Sequence, residues 1–361
     1  MKELESKLES LLFNVSDSLL IGYERDLNLI YKNIISELNS FEQLNTLINQ
    51  HSIELVKPII YNHIYFIKEA LLKKNNDYIL DHIFWELNSY NNMNISFNFY
   101  KHLFTIIPKV IKKIDKDEYF VIIKLYEYLL EYYDYLVLQA KSFKNKEKTT
   151  KDVEVYSNFI EALLIPDMTK AVNISNDFIK NKSDIKIFWS DVILPSLYNI
   201  GAKWANGEIT VGQEHTATSI CQRVMTLHYE KILDQIGNKK KVLVTTSPME
   251  LHEIGARMVS DFLEINGYDV YYFNHQTTFE EIINTIKEED ISDIIISTTL
   301  LSNLSATRKF ISDIRESLVD RSLKIYVGGQ AYDENSPITN PVDADYYISN
   351  IDGLLNMIEE G

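Results

Sequence analysis

Glu250, His252 and Gly255 stand in the pattern Glu-x-His-x-x-Gly, where a short apolar run, Val242 to Val244, gives way to a helical one. A neutral imidazole is a good ligand for a transition metal, and a carboxylate on its second ring nitrogen fixes the tautomer and strengthens its donation. The spacing offers His252 as the ligand and Glu250 as the supporting carboxylate. Taken alone, the loop reads equally as a histidine capping the helix that follows. Two more clusters come later: Ser297-Thr298-Thr299 after one apolar run, and Gly328-Gly329 after the next. Hydroxyls can donate to a polar ligand, and paired glycines let a ligand pass close to the backbone. Upstream, Trp204 is followed nine residues later by Glu214-His215, which separately read as a core aromatic and an exposed helical pair.

The elements that must position these residues follow from periodicity. After Gly237, short apolar runs at Val242 to Val244, Val270 to Phe273, Ile294 to Ile296, Ile325 to Val327 and Tyr346 to Ile348 alternate with helix-like segments. Those segments are Ile254 to Ile265, Phe279 to Lys287 and Ser305 to Leu318. Such a repeat predicts a five-stranded, mostly parallel sheet with helices on both faces, whose ligands bind beyond the carboxyl ends of the strands. His252, Ser297, Thr299 and Gly328 all fall at those ends. The first strand end lacks the glycine-rich turn of a dinucleotide site, which disfavours nicotinamide and flavin dinucleotides.

The rest of the chain reads as helical. From Met1 to about Lys141 apolar residues recur at three and four, with one glycine, Gly22, and two prolines, Pro58 and Pro108. The pattern predicts four to six helices with breaks near Asn75-Asn76 and from Tyr90 to Asn94. The polar stretch Lys141 to Lys151 reads as a linker, so the expected domains are residues 1–145, 152–236 and 238–361. Pro195 is expected to bend or start the helix leading to Trp204.

Composition narrows the function classes. Asp and Glu total 52 against 36 Lys and Arg, a net charge of −16, which repels a phosphate backbone and disfavours direct DNA binding. Lys239-Lys240-Lys241 reads as a solvated linker end. No window has the roughly 18 apolar residues of a membrane span, and Met1 to Ser10 lacks the form of a secretory signal, so a cytoplasmic protein is the expectation. The single cysteine, Cys221, reads as a small buried side chain. His51, His63, His82 and His102 are scattered among aromatic residues and read as structural. A second chromophore there, a haem or a bilin, is an alternative that no motif supports.

Glu250-x-His252-x-x-Gly255, the Ser297 strand end and Gly328-Gly329 together resemble the cobalamin-binding domain family of methionine synthase, corrinoid methyltransferase proteins and light-sensing regulators. The resemblance implies a Rossmann-like (flavodoxin-like) domain in which His252 replaces the cofactor's own base as lower ligand to cobalt. It also implies that Ser297 meets the displaced base and that Gly328 and Gly329 line the nucleotide-tail channel, with Thr299 also among the cofactor-binding residues. Many members have Asp where this chain has Glu250. Trp204 through Glu214-His215 is similar to the signature of the four-helix-bundle cap in CarH-type adenosylcobalamin photoreceptors. By that likeness Trp204 packs against the adenosyl group and Glu214 and His215 hydrogen-bond it, with Val211 also among the cofactor-binding residues. An indole suits a nucleoside surface, and an acceptor can tell a ribose from a methyl group.

The resemblance covers about residues 155 to 361. CarH-type proteins begin with a MerR-type DNA-binding domain, where this chain has an acidic, aromatic-rich helical region. They also carry a histidine after the cap tryptophan, where this chain has Ala205. The expected function is an adenosylcobalamin light sensor without catalysis of its own, signalling to a protein partner, with homo-oligomerisation open. The alternatives are a corrinoid methyl carrier of a methyltransferase system and a sensor of cobalamin level.

Overall fold

The computed structural model describes residues 2–115, 117–145, 147–148, 150, 153–233, 239–332 and 342–360. Contacts gather them into two compact units: residues 1–147 with 201–211, and residues 148–200 with 212–361. The stretch expected as a separate cap, 152–236, is thus divided between the units. The boundary expected at 236–238 lies outside the described residues, as does part of the expected linker.

The first unit is helical. Its described elements are α1 (Lys2–Leu12), α2 (Asp17–Asn39), α3 (Leu44–Leu47), α4 (Ile53–Lys73), α5 (Asn76–Asn92), α6 (Phe97–Ile114), α7 (Phe120–Glu131) and α8 (Tyr133–Ser142). Four helices begin where a side chain accepts an otherwise unpaired backbone N–H: Ser16, Ser52, Asn75 and Ser96. Both expected breaks are present. Eight helices replace the four to six expected because the ends of α3 and α7 carry no glycine or proline, only Ile48 and Tyr132.

This unit's core holds a buried polar cluster. Glu86 Oε2 accepts from His63 Nδ1 at 2.7 Å, and His63 Nε2 meets the Tyr126 hydroxyl at 2.9 Å. His82 Nε2 lies 3.3 Å from Glu86 Oε1 and its ring stacks on Phe66. Burial pushes the Glu86 carboxyl up, but the two imidazoles outweigh it and hold the group at about 2.

The second unit opens with α9 (Val153–Leu164), α10 (Met168–Phe178) and α11 (Lys182–Phe188), then a π-helical turn at Trp189–Ile193 ahead of α12 (Leu194–Ala205). Pro195 lies inside a continuous helical run, Lys182 to Ala205, and cannot donate to the preceding turn; the Asp191 carbonyl four residues back accepts from the Thr150 hydroxyl instead. The wider turn before it lets Trp189 point inward, fully buried, with its indole N–H donating to Asp261 Oδ2 at 3.0 Å. After α13 (Val211–Leu227) and α14 (Glu230–Leu233) the chain enters the sheet. Cys221 is buried within α13.

Five parallel strands, β1 (Lys241–Thr246), β2 (Asp269–Phe273), β3 (Asp293–Ser297), β4 (Lys324–Gly328) and β5 (Tyr346–Ile348), lie in the order β2-β1-β3-β4-β5. The expected sheet is present, and every pairing is parallel. One face carries Leu243, Ile294, Ile296, Ile325 and Val327 against α16 (Phe279–Glu288) and α17 (Leu304–Ser317). The other carries Val242, Val244, Ile295 and Tyr326 against α15 (Ile254–Ile265) and α18 (Ile351–Glu360). In the lysine triplet Lys239 and Lys240 are exposed ahead of β1, as a solvated end is, and the three lysines pair with Glu359, Asp293 and Glu289. Among the described residues no helix is long and apolar enough to cross a membrane.

Candidate cofactor site

The loop from β1 to α15 turns sharply at Met249, whose backbone is left-handed with φ 68°. That turn sends alternate side chains in opposite directions. Glu250 is fully buried, while Met249 is 60% and Leu251 71% exposed. The His252 side chain is 56% exposed. The imidazole and two apolar side chains of this one loop are thus all exposed, apolar and metal-ligating surface together.

Beneath it the Glu250 carboxylate is fixed from two sides. Oε1 lies 2.5 Å from His252 Nδ1 and also accepts the His252 backbone N–H at 3.1 Å. Oε2 accepts the backbone N–H groups of Thr299 and Leu300, each at 2.9 Å, and the Asn303 side-chain amide at 3.0 Å. Burial pushes this carboxyl up, but His252 and the N–H groups of Leu300 and Thr299 outweigh it and hold the group at about 2. Burial lowers the His252 pKa, yet Glu250, with Glu214 adding to it, moves it above the ordinary imidazole value. With Nδ1 bound to the carboxylate, Nε2 is the nitrogen left for a ligand, and among the described residues it makes no hydrogen bond. One such imidazole suits a metal whose remaining positions are filled by its own macrocycle.

His252 does not cap the next helix. The residue before α15 is Glu253, no side chain caps its first turn, and Glu253 instead binds His275 Nδ1 at 2.7 Å. Gly255 opens α15; a Cβ there would sit 3.9 Å from Ser297 Oγ. The strand register places Thr246 beside Ser297, and Ser297 beside Gly328. Gly329 has φ +110°, and a Cβ on it would stand 2.3 Å from the Thr298 carbonyl oxygen, so the fold itself requires this glycine. Thr299 enters the site through its backbone N–H to Glu250.

Glu214 and His215 lie in α13 of the same unit. Glu214 Oε2 is 2.5 Å from His215 Nδ1, and Oε1 accepts from Thr218 Oγ1 at 2.9 Å. His215 is exposed. Trp204 and Val211 belong to the first unit by their contacts and are half-buried there. The end of α12 is tied to that unit: the Ala205 carbonyl accepts from the Asn88 and Asn92 amides at 3.3 and 2.9 Å. Gly207, with φ +74°, turns the chain against Asn92.

Sequence reading missed Asn303 and the two backbone donors that complete the Glu250 cradle. They lie 49 to 53 residues away, and the visible signal was only an asparagine shortly after a buried strand end.

Two family models match this chain, both described as B12 binding domains, over residues 155–228 and 240–346. Among curated proteins, the HTH-type transcriptional repressor CarH of Myxococcus xanthus is 22% identical over 166 residues, 46% of this chain and 54% of that protein. Dimethylamine corrinoid protein 3 of Methanosarcina acetivorans is 29% identical over 96 residues, 26% of this chain and 45% of that protein. The chain therefore spans about half the length of the curated relatives it matches. Similar solved structures include the monomethylamine corrinoid protein of Methanosarcina barkeri, at 14% identity and TM-score 0.48, covering 57% of this chain and 98% of that one. A cobalamin-binding protein from Desulfitobacterium hafniense matches at 19% identity and TM-score 0.31, covering 58% and 98%.

Proposed function

Because the chain belongs to the B12-binding family over residues 155–228 and 240–346, we propose that it is a light sensor that binds adenosylcobalamin through His252. The observation that carries the binding is the free Nε2 of an imidazole whose Nδ1 is held by a buried, ionised carboxylate at a strand end. In this reading His252 Nε2 would hold the cobalt, Glu250 would keep Nδ1 protonated and the ring oriented, and the exposed Met249 and Leu251 would offer apolar surface nearby. Ser297 serves the displaced base, and Gly328 and Gly329 the nucleotide tail. Bound adenosylcobalamin supplies a weak cobalt–carbon bond that visible light breaks.

The light-sensing part rests on Trp204 and Glu214-His215, whose motif and likeness to CarH favour an adenosyl ligand. Glu214 and His215 bring acceptor and donor groups for which a methyl ligand has no counterpart. Loss of the adenosyl group in light is the signal in this reading, and the helices before residue 148 lie outside both family matches. We therefore assign those helices the output, through a protein partner.

A methyl-carrying corrinoid protein is the second reading, favoured by the 29% identity to a dimethylamine corrinoid protein. Apoprotein incubated in darkness with adenosylcobalamin or methylcobalamin separates the two. The sensor retains the adenosyl form and changes its absorption spectrum under green light. Preferential retention of methylcobalamin with no lasting spectral change under light would replace it with the carrier. Binding of neither would remove both.

A further inference from the structure

The corner between α4 and α5 in the helical unit holds an amine that no oxygen receives. Lys73, in the last turn of α4, is half-buried, and its Nζ is closed from solvent without a hydrogen-bond partner among the described residues. The lysines around it differ. Lys57 pairs with Glu54, Lys68 lies 3.1 Å from Glu24 and 3.3 Å from Glu69, and Lys74 donates to the Val15 carbonyl at 2.8 Å. Lys73 Nζ instead stands 3.3 Å from the centroid of the Tyr78 ring, and the Tyr78 hydroxyl is itself buried without a partner. Backbone fixes the pair: Lys74 is left-handed with φ 52°, and the Asn75 side chain accepts the Tyr78 N–H at 3.0 Å in the first turn of α5.

An ammonium in that place gives up its water for an aromatic face alone. Burial accordingly moves the Lys73 amine down from 10.5 to about 7, with the Glu69 carboxylate opposing. A large share of it is then the free base at neutral pH, and a desolvated, unprotonated lysine is a nucleophile. Because Nζ presents almost no surface, the electrophile that reaches it must be small and uncharged.

We infer that Lys73 is a carbon dioxide site, where the free amine forms a reversible carbamate whose oxygen accepts from the Tyr78 hydroxyl. The nitrogen lone pair makes the new N–C bond, one C=O π pair moves onto oxygen, and one N–H proton leaves to solvent. An amine and carbon dioxide thus become a carbamate anion and a proton, with no oxidant or reductant. The N–H that remains keeps the ring face as its acceptor, and the new anion meets a buried donor that otherwise has none. Glu69, the carboxylate that acts on this amine, is matched by Lys68, which limits its repulsion of the anion. The side chain changes from a cation or neutral amine to an anion, so the corner between α4 and α5 responds to carbon dioxide.

The test equilibrates the full chain with isotopically labelled bicarbonate and carbon dioxide. Carbon NMR separates a carbamate from bicarbonate, and a trialkyloxonium reagent fixes carbamates for peptide mass spectrometry. In the wild type the trapped group should fall on the peptide at Lys73 and on no other lysine, a result that needs no variant to fold. Lys73→Arg should lose the carbamate signal, and Lys74→Arg should keep it. Tyr78→Phe, which keeps the ring and removes the hydroxyl, should need about tenfold more carbon dioxide for equal occupancy, the size of one hydrogen bond. No carbamate at Lys73 in the wild type, trapping spread over other lysines, or a signal that survives Lys73→Arg would overturn the site. Equal occupancy in Tyr78→Phe would overturn the part given to that hydroxyl. None of these outcomes bears on His252.

Discussion

Each unit of this protein contains a buried glutamate held at about 2 by a histidine, and the two pairs serve opposite ends. In the N-terminal helices both nitrogens of His63 are used, Nδ1 by Glu86 and Nε2 by Tyr126, and the ring is fully buried. At the end of β1, Glu250 uses only Nδ1 of His252, and the rest of the ring faces outward. A carboxylate partner therefore does not distinguish a histidine closed within the core from one left open to a ligand. What distinguishes them is the second nitrogen, and that is decided by backbone. His63 lies mid-helix among packed neighbours, whereas the left-handed turn at Met249 lifts His252 out of the core.

The largest effect that would break this comparison is on stability. His63→Ala should cost about 3–5 kcal/mol, since it leaves a buried carboxylate short of its partner, and should leave cobalamin affinity unchanged. Denaturant unfolding and a binding titration check both halves, and a loss of cobalamin affinity would contradict the structural role. His252→Ala should do the reverse: the histidine-ligated absorption spectrum disappears, while the apoprotein unfolds near the wild-type midpoint. Glu250→Ala should weaken cobalamin about 10- to 100-fold, the range for carboxylates that orient a metal-bound histidine. A titration showing less than a twofold change would sever Glu250 from the site.

A third buried acid sharpens the comparison, because it has no imidazole partner. Asp261 accepts only the neutral indole N–H of Trp189, and burial raises its pKa from 3.8 to about 6. Being raised in the folded state, it stabilises below about pH 4 and loses that contribution as pH climbs through 6. His228, buried against Ser175 Oγ, is lowered from 6.5 to about 4, so its contribution has the opposite slope, lost as pH falls through 4. The two offset one another between pH 4 and 6. Asp261→Asn should expose the His228 slope, with stability rising across that window, and should gain roughly 2 to 3 kcal/mol at pH 7. Urea midpoints at several pH values measure this, and a flat profile in the variant would contradict the raised pKa.

The smallest effect concerns selectivity. Trp204→Ala should narrow the preference for adenosylcobalamin over methylcobalamin by several-fold, about 1 kcal/mol of aromatic contact. Parallel titrations with the two cofactors would show it, and an unchanged ratio would count against a cap role for this residue.

Much of this was legible in the residues. The five strands announced themselves as apolar runs between turn residues, and α15 spans Ile254 to Ile265 as its periodicity indicates. The pairing of Glu250 with His252 was visible because it is local. What the residues hid was non-local or lacked punctuation. Asn303 and the Thr299 and Leu300 N–H groups reach Glu250 only after β1 and β3 pair. The break at Tyr132 carries no glycine or proline, and the π-helical turn before Pro195 leaves no mark in the sequence. The Ala205 carbonyl, within the stretch expected as the cap, accepts from the amides of Asn88 and Asn92, more than a hundred residues away in sequence.

The division of the expected cap has a practical corollary. The polypeptide passes from one unit to the other near residues 147, 200 and 211, so neither unit is a continuous segment. No single cut yields either one whole: removing the first 147 residues strips the Ala205 carbonyl of both donors, and stopping after them discards the eleven residues 201–211. Truncations at the obvious linker would leave frayed edges on both fragments, and any activity lost that way would report on the interlaced chain before it reported on a domain.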